Sequence, residues 1–355
     1  MKKAFFVACL IGAATSTANA QSTGSVNEGI ITIPEPTSAP SPTATLNHEG
    51  QISTFYGGQA LTSAYDKAVN GDIITLSAGK FSNSNNFAIT KAITIRGVGN
   101  GINIDGTTNQ STLATVLEGP VIRLSSGQLY IEGIRFDDRP SVYPNSDNNG
   151  PGNVQFVKCH FTSGFQGYSD STSIYMINCA VDSNNLHKDL EISDYTPFSA
   201  ISSYFKSVHI RGNSTANAPK SFTNCVMGVY YDLYDATVSN SIVFAEKNWV
   251  TISKATISYS LIDMSKFYGY ASAEQFHDYS VTSDEGWFKE GTFYQLTDQA
   301  KALYKGADGT EVGIYGGATP FTTTPSYARI TKFNVAPKTT DDGKLSVDIT
   351  VEQPQ

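Results

Sequence analysis

Through the middle of the chain, short apolar strings alternate with polar residues and break every few positions at Gly, Asn, Asp or Ser. Seven segments superimpose: 129–136, 154–161, 174–181, 203–210, 220–227, 236–243 and 255–262. Each reads apolar, x, apolar, x, turn residue, small, x, apolar, with Ser203 and Lys220 as exceptions at the first place. Period-two alternation on either side of one corner residue predicts two short strands meeting at a tight bend, each with one face inward. Between repeats the step varies, the excess falling in loops. Stacking the repeats predicts inward files of Ile134, Cys159, Cys179, Val208, Cys225, Ser241, Ser260 and of Phe136, Phe161, Val181, Ile210, Met227, Val243, Ile262. The corner file holds Gly133, Asn178, Asn224 and Asn240, types that tolerate left-handed backbone and can bond their stacked neighbours. The outward file changes character: Arg135, His160, Ala180 and His209 early, then Val226, Ile242 and Leu261. Consecutive outward apolar residues need a cover, for which the tail or a partner chain is the expectation.

Upstream, Leu61, Ala64, Tyr65 and Ala68 recur at helical spacing and Asn70-Gly71 stops the helix. Downstream, Leu345, Val347, Ile349 and Val351 alternate with polar residues, predicting a half-buried strand that pairs with 329–335 through Asp342-Gly343. The helix followed by Asn70-Gly71-Asp72-Ile73-Ile74-Thr75-Leu76-Ser77-Ala78-Gly79-Lys80-Phe81 resembles the entry to pectate-lyase-like right-handed β-helix proteins. Gly309-Thr310-Glu311-Val312-Gly313-Ile314-Tyr315-Gly316-Gly317 resembles the closing segment of secreted members from gut-type Gram-negative bacteria. The resemblance spans about 58–320. The expected fold is all-β, a right-handed parallel β-helix over 51–320, with an N-terminal capping helix and a C-terminal β-hairpin over 321–355.

Residues 1–20 read as a secretory signal, with Lys2 and Lys3 before an apolar run and Ala18-Asn19-Ala20 before Gln21. Val7-Ala8-Cys9 loosely resembles a lipid-attachment box, a rival that leaves almost no apolar segment behind. The Pro/Ser/Thr-rich stretch within 21–50 reads as an exposed linker. The expectation is export to the periplasm, the outer-membrane surface or the medium, without a transmembrane segment. Net charge is −8, or −10 once Lys2 and Lys3 leave with the signal. With no basic run, nucleic acid is excluded as a partner. Cys159, Cys179 and Cys225 share one buried file and read as small core fillers; Cys159 and Cys179 lie on adjacent coils within disulfide reach. No metal-ligand spacing appears, and no cofactor is expected.

Candidate chemistry is sparse. Lyases of the resembled superfamily neutralise a uronate carboxylate, often with Ca²⁺, and a Lys or Arg takes the adjacent proton. The resemblance points to Asp137, Asp138 and Arg139, although Arg139-Pro140 is only a fragment of the family's Arg-x-Pro-x-x-Arg signature. Of the hydrolase motifs on this fold only Asp137-Asp138 is present; Asp137 and Asp182 share a file two rungs apart, about 9.6 Å. The charged loop 186–195 offers Lys188 as a base, His187 as an acid and three carboxylates. The competing reading of both regions is a solvated turn and a solvated surface loop. For binding, Tyr230, Asp232 and Tyr234 facing out with Trp249 would form an aromatic strip with acids beside it, on which sugar rings stack. In the opposite register Tyr231 and Leu233 face out instead. The resulting expectation is a secreted β-helix that binds or processes a polysaccharide, binding ahead of catalysis. Its rivals are a non-catalytic spacer or adhesin docking a protein at the C-terminal coils, and a uronate-polymer lyase.

Overall fold

The computed structural model describes residues 41–82, 87–102, 114–124, 126–144, 152–183, 189–211, 218–245, 250–262, 267–278, 286–335, 344 and 346–352. The signal segment, the linker up to residue 40, His187, Lys188 and Trp249 lie outside them. Contacts divide the chain into two compact units, Pro42–Pro325 and one that includes Ser326–Gln355.

Pro42–Pro325 is a right-handed parallel β-helix of about 7 turns. Each turn contributes a strand to three walls. The first wall stacks Ile73–Leu76, Thr94–Arg96, Gly127–Glu132, Gly152–Val157, Thr172–Ile177, Phe198–Ile201, Lys220–Thr223 and Thr237–Ser239. The second stacks Thr115–Leu117, Arg135–Phe136, His160–Phe161, Ala180–Val181, the start of Tyr204–Arg211, Val226–Val229 and Ile242–Ala245. The third stacks Val121–Ile122, Ser141–Val142, Phe165–Gly167, Leu190–Ser193 and the end of Tyr204–Arg211. Between the walls, Phe136, Phe156, Phe161 and Phe165 pack with centroids 5.0–6.1 Å apart.

The expected files are present, with one register correction. The coil between Cys179 and Cys225 is 198–205, not 203–210, so the files contain Ser203 and Phe205 rather than Val208 and Ile210. The outward place there belongs to Tyr204, not His209. Val208 and Ile210 stack on Leu190 and Ile192 in the third wall.

The corner explains the small file. Gly133, Lys158, Asn178, Ser202, Asn224, Asn240 and Tyr259 all take positive φ, between 47° and 67°. This bend carries the next residue's N–H out of the strand ladder, and the side chain one coil on replaces the lost acceptor. Ser203 Oγ accepts from Cys179 N, Ser241 Oγ from Cys225 N and Ser260 Oγ from Ser241 N, each at 3.0 Å. The Cys225 thiol accepts from the Ser203 amide in the same way and donates to Thr223 O at 3.4 Å. The three cysteines are free thiols, buried, and each donates to a backbone carbonyl two residues back as well as filling space; Cys159 and Cys179 are not bridged.

Strand structure begins at Thr43, inside the expected linker. Thr43–His48 pairs antiparallel with Ile73–Leu76, and Gln51–Tyr56 pairs outside it. The helix Ala60–Lys67 buries Ala60, Leu61, Ala64 and Tyr65. His48 Nδ1 donates to Asp72 at 2.8 Å, and Asp72 also accepts from Val69 N at 2.8 Å.

The outward apolar file is covered from within the same unit. Val226, Ile242 and Leu261 cluster with Trp287, Phe293, Leu296, Val312, Ile314 and Phe321 from the same unit. Two of the corner asparagines, Asn178 and Asn240, clamp this cover. Asn178 Oδ1 accepts from Thr322 N at 2.9 Å and its Nδ2 donates to Thr319 O at 3.1 Å. Asn240 Oδ1 accepts from Ala307 N at 2.9 Å. The tail forms its hairpin from Arg329–Val335 and Val347–Glu352. Its strand is not half-buried, since Val347, Ile349 and Val351 are 47%, 39% and 47% exposed.

Candidate functional site

The third wall carries a connected polar network on its outer side. Its inward file, Ile122, Val142, Ile192 and Ile210, is buried in the core, so the residues between them are turned outward. That outward file runs Ser141, Gln166, Glu191, His209 on successive coils. Ser141 Oγ donates to Gln166 Oε1 at 3.1 Å, and Gln166 Nε2 donates to Glu191 Oε2 at 3.1 Å. Arg139 reaches the same carboxylate oxygen from 52 residues away, at 3.2 Å. The Glu191 side chain is 0% exposed and that of Arg139 23%. A carboxylate so buried is tolerable only when paired and hydrogen-bonded, and Arg139 and Gln166 supply that pairing.

Aromatic rings flank the network. Tyr143 and Tyr168 stack with centroids 5.8 Å apart, Arg123 lies 5.3 Å over the Tyr143 ring, and Gln166 Nε2 is 3.4 Å from the Tyr168 hydroxyl. On the next coils His209 meets Tyr231 at 5.3 Å, and Tyr231 is 47% exposed.

The sequence candidates are redistributed by this geometry. Asp137, Asp138 and Arg139 diverge: Asp137 accepts from Arg135 Nε at 2.9 Å, Asp138 is exposed, and Arg139 joins Glu191. The described part of the loop read as solvated, 189–195, is largely interior, with Asp189, Glu191 and Asp194 buried and Leu190–Ser193 a strand. Asp182 sits in the expected file but is engaged by buried His160 Nε2 at 2.9 Å, so neither Asp137 nor Asp182 is a free carboxylate. Among the described residues no group of three His, Cys, Asp or Glu is placed to hold a metal. No helix among them is long and apolar enough to cross a membrane.

The proposed aromatic strip is corrected too. Tyr230 is 3% exposed and packs edge-on at 4.3 Å from Tyr231, which faces out instead. Leu233 is nonetheless buried, so neither simple register holds through 230–234. Tyr234 is half-buried and accepts from Lys254 Nζ at 2.8 Å. Asp232 lies in the strand Asp232–Tyr234, which pairs with Thr251 to Ser253. Lys220, the exception in the repeat, is inward and buried; its Nζ donates to the carbonyls of Asp194 and Ala218 at 2.6 and 2.7 Å. Burial pulls its pKa down, while Asp235 and Asp194 oppose that. The lysine ties turns of neighbouring coils together, a structural role.

Sequence reasoning missed Ser141, Gln166, Tyr143, Tyr168 and His209 as one surface. The third-wall strands of these turns are only two to four residues long, too short for alternation to register. No protein-family model matches the chain, and no curated protein is similar to it.

Proposed function

We propose that this chain is an exported β-helix that binds a polysaccharide along the outer face of its third wall, with the pectate-lyase-like superfamily as its structural kin. The observation that carries the reading is the band of Tyr143, Tyr168, Gln166, Arg139, His209 and Tyr231 across consecutive coils. Rings offering stacking surface beside fixed amide, guanidinium and imidazole groups are the chemistry that holds sugar rings and their hydroxyls. Coils repeat at about 4.8 Å, so the band presents a contact to every unit of an extended chain laid along the axis.

Binding is favoured over turnover by the same geometry. Glu191 is inaccessible to a substrate and serves to hold Arg139, while Asp137 and Asp182 are engaged by Arg135 and His160. A general acid or base must touch the group it protonates. The outward apolar file of the late coils, where a protein partner was expected to dock, is covered by residues from 286–321 of the same chain.

Affinity electrophoresis through gels containing pectate, alginate, glycosaminoglycans or neutral plant polysaccharides tests the proposal. Retardation in at least one gel, without growth of ultraviolet absorbance from unsaturated uronate ends, is the expected result. Free migration in every gel would overturn it, and rising absorbance would establish the lyase reading instead.

A further inference from the structure

The N-terminal end of the first wall closes on an edge strand of unusual character. Gln51–Tyr56 pairs on one side with Thr43–His48, without a bulge, and pairs with no other strand among the described residues. The six residues carry no charge and no proline. Proteins ordinarily blunt such an edge with Lys, Pro, a bulge or a covering loop, because its free N–H and C=O groups template another strand. Here Ile52 and Tyr56 lie on the same face and are 40% and 48% exposed, while Phe55 packs against the core. Gly50 and Gly57, at φ 85° and 89°, bound the strand as a straight unit.

We propose that this edge joins the same strand of a second copy, antiparallel, about a two-fold axis at Thr54. The sequence is self-complementary in that register. Ile52 falls opposite Tyr56 of the other copy, an aromatic and β-branched pair on one face, and Thr54 meets Thr54. Glu49 falls opposite Gln59, so no like charges face each other. Pairing centred on Ser53 instead leaves Ile52 against Thr54 and Tyr56 against Gly50, losing the apolar pair. A two-fold interface uses one patch twice, so a single uncharged strand suffices for both sides. The two first walls would then run on as one sheet, and main-chain hydrogen bonds would supply the attraction.

The test is sedimentation equilibrium of the full chain across a wide concentration range, with hydrogen exchange at residues 51–56. The expected result is a monomer–dimer equilibrium in which these amides become protected as the dimer fills. Ile52→Lys and Tyr56→Lys place charges on the exposed positions and should each weaken dimerisation at least about tenfold. Their melting temperatures should match the parent, and Leu303→Lys, at an exposed site on the helix Asp298–Leu303, should dimerise as the parent does. A monomer at every concentration overturns the proposal, whether the amides exchange freely or are protected within the single chain. A dimer indifferent to both lysine variants overturns it as well.

Discussion

At Cys225 the side chain does two jobs that a space-filling methyl cannot. Its thiol donates to Thr223 O and accepts from the Ser203 amide, which the positive-φ corner has removed from the ladder. Ser203, Ser241 and Ser260 do the same from the equivalent place on their own coils. Cys225→Ser is therefore expected to cost less than about 1.5 kcal/mol in urea unfolding. Cys225→Ala strands a buried amide and should cost about 1–3 kcal/mol. Equal losses for the two would contradict the capping role. Burial also pushes the Cys225 thiol up to about 12, so little thiolate exists at neutral pH. Labelling by a disulfide reagent should track global unfolding, and rapid labelling of the native protein would contradict that burial. The shared file of the cysteines was legible from spacing alone. The capping was not, because it depends on a bend that removes an amide from its ladder, and spacing does not show where amides go.

Elements show where period-two reading slips. The expected repeat at 203–210 failed because Tyr204–Arg211 is one strand running from the second wall into the third, with a register shift between Phe205 and Val208. Val208 and Ile210 sit two apart just as Ser203 and Phe205 do, so spacing alone cannot choose between the coils. The corner asparagines were legible as turn residues, but their partners lie up to 144 residues away in the cover. Gly317 shows how tight that joint is: it has φ 75°, and an added Cβ would lie 2.7 Å from Asn224 Oδ1. Gly317→Ala should cost about 1–3 kcal/mol and loosen the cover, read as faster proteolysis within 286–321 and dye binding to the uncovered apolar file. Unchanged proteolysis would contradict the clamp. At the other end, the hydrogen bond to Asp72 and then its charge raise the pKa of His48 above the ordinary 6.5. Protonated His48 is thus favoured in the folded state, so its contribution is fully present below pH 6.5 and is lost as pH rises through the raised value. Exchange protection of the strand Thr43–His48 should fall across that interval and stay flat in His48→Gln; a flat profile in the parent would contradict the link.

For the whole molecule, the solenoid was readable because each coil repeats the same compromise of inward apolar residues and a left-handed corner. The need for a cover over Val226, Ile242 and Leu261 was readable for the same reason. The candidate site was only half visible. Arg139 stood out in the sequence, yet its partner Glu191 lies two coils on, in a stretch that looked like a solvated loop. A lateral surface made of one residue per coil has no local signature; only the stacked register assembles it. The proposed polysaccharide contact rests on that assembly. Its most direct test is hydroxyl-radical footprinting of the protein with and without a polysaccharide that retards it in gels. Protection of Tyr143, Tyr168 and Tyr231 together, with Tyr175 on the first wall unchanged, is the predicted result. Protection at Tyr175 alone, with the three third-wall tyrosines unaltered, would contradict the account.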